Sequence, residues 1–116
     1  MRNRMIFSKG ERQARSRLTK LVHEETLLCG SLVTMARTCG RKGCKCYRGE
    51  KHVSLYLSTR PNGKRKTIYI PAEAEKEVKA GVRSYREARR LMRRISNEEL
   101  ARLLRTARRE RKERRR

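Results

Sequence analysis

The sequence predicts a small α+β domain built on a three-stranded antiparallel sheet. One helix precedes the sheet, and a long helix and a shorter basic helix follow it. Three observations lead there. Residues 52–58, His-Val-Ser-Leu-Tyr-Leu-Ser, alternate apolar and polar as a half-buried strand does. Pro61-Asn62-Gly63 is a turn signal between that run and a second one. Both flanks carry apolar residues three and four apart, the helical period. At 116 residues, with 35% apolar residues and no Trp, the core is small, and a small core usually needs a staple.

The chain divides into four segments: a basic N-terminal helix (1–29), a β domain (30–71), a long amphipathic helix (72–95), and a C-terminal helix with an arginine-rich tail (96–116). Ser8-Lys9-Gly10-Glu11 fits a capping box, in which hydroxyl and carboxylate satisfy orphan helix donors. The helix it opens runs over 9–28, with Ala14, Leu18, Leu21, Val22 and Leu28 as its stripe and Gly30 as its stop. Residues 31–38 hold strand formers without a helical stripe and make the first strand. In the second, Val53, Leu55 and Leu57 face one way and Ser54, Tyr56 and Ser58 the other. Lys66 to Ile70 is the returning strand, and Pro71 ends it, lacking a ladder donor. Glu73, Glu75 and Glu77 then crowd a helix start, where the macrodipole favours negative charge. The stripe of that helix is Val78, Val82, Tyr85, Ala88, Met92 and Ile95. Ser96-Asn97-Glu98-Glu99 reads as a second capping box, opening a last helix with Leu100, Leu103, Leu104 and Ala107. Beyond Ala107 no apolar residue remains.

Between the first two strands lies Cys39-Gly40-Arg41-Lys42-Gly43-Cys44-Lys45-Cys46, with His52 six residues on. Thiolates and an imidazole at Cys-x4-Cys-x-Cys-x5-His spacing suit one tetrahedral Zn2+, and Gly40 and Gly43 let the backbone wrap a small ion. The expected ligands are Cys39, Cys44, Cys46 and His52. Cys29 is the rival fourth ligand, although a buried free thiol is its simpler reading. A disulfide, a thiol activated by nearby cations, and unligated structural cysteines are the other readings of the cluster.

Charge dominates the composition. Lys and Arg number 34 against 12 Glu and no Asp, a net charge of +22. Such an excess of one sign points to phosphate backbones. The expected contacts are Arg41, Lys42, Lys45 and Arg48 in the knuckle, Lys64, Arg65 and Lys66 at the hairpin, Arg83, Arg86, Arg90 and Arg93 on the long helix, and Arg108 and Arg109 in the tail. Tyr47, among the knuckle cations, is the better base-stacking candidate, and Tyr85 lies on the apolar stripe. A metal-dependent nuclease core needs converging acidic residues, which a chain without aspartate supplies poorly. No Walker-type phosphate loop occurs, so catalysis is not expected. No run approaches a membrane span, and Met1 to Phe7 has no signal-peptide core, so the chain reads as cytoplasmic.

One ordered string carries a family resemblance: Gly30-Ser31-Leu32, Arg37-Thr38-Cys39-Gly40-Arg41-Lys42-Gly43-Cys44-Lys45-Cys46, Gly49-Glu50-Lys51-His52, Tyr56-Leu57-Ser58, Asn62-Gly63-Lys64 and Tyr69-Ile70-Pro71. It resembles an uncharacterised family of small bacterial and archaeal zinc-knuckle domains often associated with transposases and other mobile-element genes. The resemblance covers residues 30–95 and implies the four ligands above, with Val53-Ser54-Leu55 where the family commonly has Gly-Pro and aromatics. The favoured reading is a non-catalytic, zinc-containing nucleic-acid-binding protein, an accessory of a mobile-element nucleoprotein complex. The mobile-element association tilts toward DNA, and an arginine-rich tail fits structured RNA equally well. The alternative is a zinc-knuckle adaptor docking onto a transposase or another acidic protein partner. No membrane partner is expected, since the helices lack a broad aromatic-apolar face.

Overall fold

Alternation in the central strand sets the sheet. In a computed structural model that describes residues 6–37 and 52–115, with Arg37 and His52 described in their backbone alone, the strands are β1 (Ser31–Arg37), β2 (His52–Thr59) and β3 (Lys66–Ile70). They form one antiparallel sheet in the order β1-β2-β3. Helix α1 (Lys9–Glu24) precedes it; a 3-10 turn (Ala72–Ala74) and α2 (Glu75–Arg114) follow. The chain divides into two units, Thr26–Tyr85 and Met1–Glu25 with Arg86–Arg116.

In the sheet unit, one parity of β2 buries Leu55 and Leu57, paired across β3 with Ile70 and Ile68. Val82 of α2 completes the buried cluster, with Leu28, Leu32, Ala74 and Val78 packed around it. Val53 shares that parity but is 72% exposed at the strand end. Gly81 is where segment 26–28 crosses α2. The Leu28 N–H donates to the Gly81 carbonyl at 3.1 Å. A Cβ on Gly81 would stand 2.9 Å from Thr26 Cγ2 and 3.0 Å from Leu28 Cγ and Cδ1. Gly30 is the entry to β1 rather than a helix stop, at φ +151°, where a Cβ would meet the Ser58 carbonyl oxygen at 2.7 Å.

The first helix ends at Glu24, four residues before the expected Leu28. Glu24 and Glu25 place two carboxylates at the negative end of the helix dipole, and β-branched Thr26 follows. Leu28 is thereby released to the sheet core. Ala14 and Leu21 of the expected stripe are buried, whereas Val22 is 56% exposed. Ser8 caps the helix, its Oγ accepting from the Glu11 N–H at 3.0 Å. The Glu11 carboxylate binds arginines instead of closing the box.

The two expected C-terminal helices are one. Helix α2 runs unbroken for 40 residues, about eleven turns, through Ser96-Asn97-Glu98-Glu99. No Gly or Pro interrupts residues 82–114, and Glu98 and Glu99 bind side chains elsewhere in the helical unit rather than capping a new start. Leu100, Leu103 and Leu104, expected to pack, are 57%, 54% and 48% exposed.

Candidate nucleic-acid interface

Of the expected metal ligands, Cys39, Cys44 and Cys46 lie outside the described residues, as do Arg41, Lys42, Lys45, Arg48 and Tyr47. His52 opens β2 and pairs with Arg37, the last residue of β1. The segment bearing the three cysteines therefore leaves and re-enters the sheet at paired positions. Cys29 precedes the other end of β1, where its carbonyl accepts from Thr59 Oγ1 at 2.9 Å. Its thiol is free and exposed, not buried. Six steps of strand separate Ser31 from Arg37, about 20 Å at ~3.4 Å per residue. Cys29 and His52 thus belong to opposite ends of the β1–β2 ladder.

The remaining cations fall into two classes. Lys64, Arg65 and Lys66 are exposed where the β2–β3 turn enters β3. Arg65 Nε donates to Ser58 Oγ at 3.4 Å. On α2, Arg83 of the sheet unit is exposed, as are Arg86, Arg89, Arg90 and Arg93 of the helical unit, and Arg108 and Arg109 near the helix end. The i, i+4, i+7 spacing of Arg86, Arg90 and Arg93 sets them on one side of the helix. Among the described residues none of these α2 arginines makes an ion pair within 4.0 Å.

The second class is engaged inside the helical unit. Glu11, whose side chain is 1% exposed, accepts from Arg15 Nε at 2.8 Å and Arg102 Nη1 at 2.5 Å. Glu99 Oε1 accepts from the same two guanidiniums at 2.6 and 3.2 Å, closing a ring of alternating charge. Phe7 lies under both, its centroid 4.2 Å from Arg15 Cζ and 5.1 Å from Arg102 Cζ, in cation–π contact. Burial works against the charge of Glu11. The hydrogen bonds from Arg102 and Arg15, with their positive charges, outweigh it and hold the carboxyl below the usual range. Arg17 forks onto Glu87 at 3.0 and 3.2 Å, and that hydrogen bonding lowers the Glu87 carboxyl as well. A cleft of about 400 Å³ opens beside the ring, but its Ser8, Glu11, Glu98 and Arg102 are already engaged with one another or with neighbours. Reading Glu11 as a capping residue hid this ring. Its visible trace in the sequence is the pair of helical spacings Glu11–Arg15 and Glu99–Arg102.

The architecture is that of a small, strongly basic α+β domain in which, among the described residues, exposed cations without an ion pair lie on the β2–β3 hairpin, along α2 and also on α1 at Arg12 and Lys20. Residues 9–80 match the family model of DUF6788, a domain of unknown function, and the chain belongs to that family. The match takes in α1, which the resemblance read from the sequence left out, and stops within α2, short of its arginine-rich remainder. No curated protein and no solved structure matches the chain. Among the described residues no helix is long and apolar enough to cross a membrane.

Proposed function

We propose that this chain is a non-catalytic nucleic-acid-binding protein that grips phosphate backbones with the exposed cations of α2 and of the β2–β3 hairpin. The observation that carries the reading is the division of its arginines. Arg15, Arg17 and Arg102 are spent on Glu11, Glu87 and Glu99. Arg83, Arg86, Arg89, Arg90 and Arg93 are exposed and make no ion pair within 4.0 Å among the described residues, although the charge of Arg90 helps to lower the Glu87 carboxyl. Holding so many like charges in parallel along one helix disfavours the free fold, and neutralisation by phosphate relieves it. Such contacts fix position along a strand and leave sequence unread.

The knuckle is part of the proposal. Cys39, Cys44, Cys46 and His52 would hold one Zn2+, clasping the segment that joins β1 to β2. What supports this is the donor chemistry, three thiolates and an imidazole, together with the pairing of Arg37 and His52 at the mouth of that segment. The position of Cys29 beyond the far end of β1 favours His52 as fourth ligand. A place in a mobile-element nucleoprotein complex rests on the sequence resemblance.

Protein purified at low salt, then treated separately with DNase and RNase, tests the function. Co-purified nucleic acid removed by one of the two is the expected result. Nucleic-acid-free protein that shifts neither duplex DNA nor structured RNA overturns the reading, and capture of one acidic protein instead points to the adaptor. Reduced protein should carry about one equivalent of zinc, and less than about half an equivalent rejects the knuckle.

A further inference from the structure

The sheet has a second face. Residues of the parity opposite to Leu55 and Leu57 put Val33, Tyr56 and Tyr69 in a single register row across all three strands. The Tyr56 and Tyr69 rings meet edge to face, with centroids 5.7 Å apart and planes at 65°. Tyr69 is 56% exposed and Val33 39%. The adjacent row is entirely hydroxylic: Ser31, Ser58 and Thr67 are register partners. Arg65 reaches into that row from the hairpin, its Nε 3.4 Å from Ser58 Oγ.

A cross-strand aromatic pair supports strand pairing by itself. That role uses contact between the rings and does not require more than half of Tyr69 to remain in water. We infer that this row is a stacking platform for the bases of single-stranded nucleic acid, with Arg65 and its neighbours Lys64 and Lys66 taking the phosphates. The inference rests on the proposed nucleic-acid function and specifies the state of the strand. Paired bases are stacked on one another and present no ring face to a sheet, whereas unpaired bases can lie on an aromatic side chain. The surroundings select this occupant. Beside the part-buried Met35 two residues along β1, one valine and two tyrosines give only a small apolar surface for a protein core contact. The hydroxyl row can bond to base edges or to a ribose 2′-hydroxyl, and the adjoining cations match a phosphate chain in sign. Aromatic residues make up only 4% of the chain, which by composition alone disfavours stacking. What matters is that two of the four tyrosines are brought side by side by the β2–β3 register.

The full chain is titrated into a labelled short oligothymidylate, the matching oligouridylate and a short DNA duplex at one salt concentration, by fluorescence anisotropy. Tyr69→Ala and Tyr69→Leu should weaken single-strand binding roughly 5- to 150-fold, the range of one lost base stack. Duplex affinity should stay unchanged, and Tyr69→Phe should bind single strands as the wild type does. Tyr69→Leu keeps an apolar group against Tyr56, so its loss together with Phe rescue separates stacking from sheet stability. The larger loss, on the deoxy or the ribo strand, identifies the natural ligand. Equal binding of all variants to single strands overturns the inference, as does an equal loss on strands and duplex. Wild-type protein that binds none of the three ligands overturns the proposed function itself.

Discussion

Glu11 offers the sharpest test of how the helical unit is held. Glu11→Gln keeps the side-chain volume and removes the charge that Arg15 and Arg102 share. Breaking a fully buried ion pair by deleting one partner costs about 3–5 kcal/mol, and exposed pairs are worth about 0–1 kcal/mol. The acceptor here is buried, but its donors are 36% and 15% exposed, and Glu99 stays bound to both. The expected loss is therefore about 2 kcal/mol, intermediate between the two limits. For a domain of this size that is a fall of roughly 8 °C in melting temperature, followed by helical ellipticity. The sign with pH follows from the lowered carboxyl. A carboxylate whose folded pKa lies below its unfolded value stabilises above the unfolded pKa, and that stabilisation is lost as pH falls through the folded value. The gap between wild type and Glu11→Gln should thus be full at neutral pH and shrink in acid below the ordinary glutamate range. Equal melting at neutral pH, or a gap undiminished in strong acid, would refute the ring as a stabilising element.

Other substitutions separate the elements. Ser8→Ala, which removes the acceptor for the Glu11 N–H, should lower stability by about 1 kcal/mol in a chemical denaturation curve. Gly81→Ala should destabilise despite alanine's helix preference of about 1 kcal/mol, because its Cβ would press on Thr26 and the core residue Leu28. A stabilised variant would show that segment 26–28 yields freely. Leu103→Glu, at a 54% exposed position, should change stability by less than about 0.5 kcal/mol; a larger loss would mean that this leucine is covered. Metal analysis of Cys29→Ser and His52→Ala should find zinc retained in the first and reduced in the second, and the opposite pattern would exchange the fourth ligand.

The sheet was legible because both of its signals are local. Residues 53–58 alternate without interruption, and Gly63 turns the hairpin at φ +80°. The third strand matched at Lys66–Ile70. The join within α2 was not legible, because Ser-Asn-Glu-Glu spells a cap and an exposed helical turn with the same letters. Deciding between them takes the partners of Glu98 and Glu99, which come from Ser8 and Arg15, more than 80 residues earlier. Leu28 was miscounted into α1 for a related reason: its spacing fits the helix, but its burial comes from Gly81 and the sheet. The candidate cations of the hairpin and of α2 were found from charge alone. Their separation from the engaged arginines depends on long-range pairing, as does the meeting of Tyr56 and Tyr69.

The central claim, that exposed arginines of α2 neutralise phosphates, is tested most directly by the salt dependence of binding. Affinity for a short duplex is measured across a series of monovalent salt concentrations for the wild type and for a variant with Arg86, Arg90 and Arg93 all changed to Gln. Each neutralised phosphate contributes roughly −0.9 to the log–log slope, so a wild-type slope of about −4 or steeper is expected, shallower by up to about three units in the variant. A flat wild-type response, or a slope that the triple substitution leaves unchanged, would contradict it.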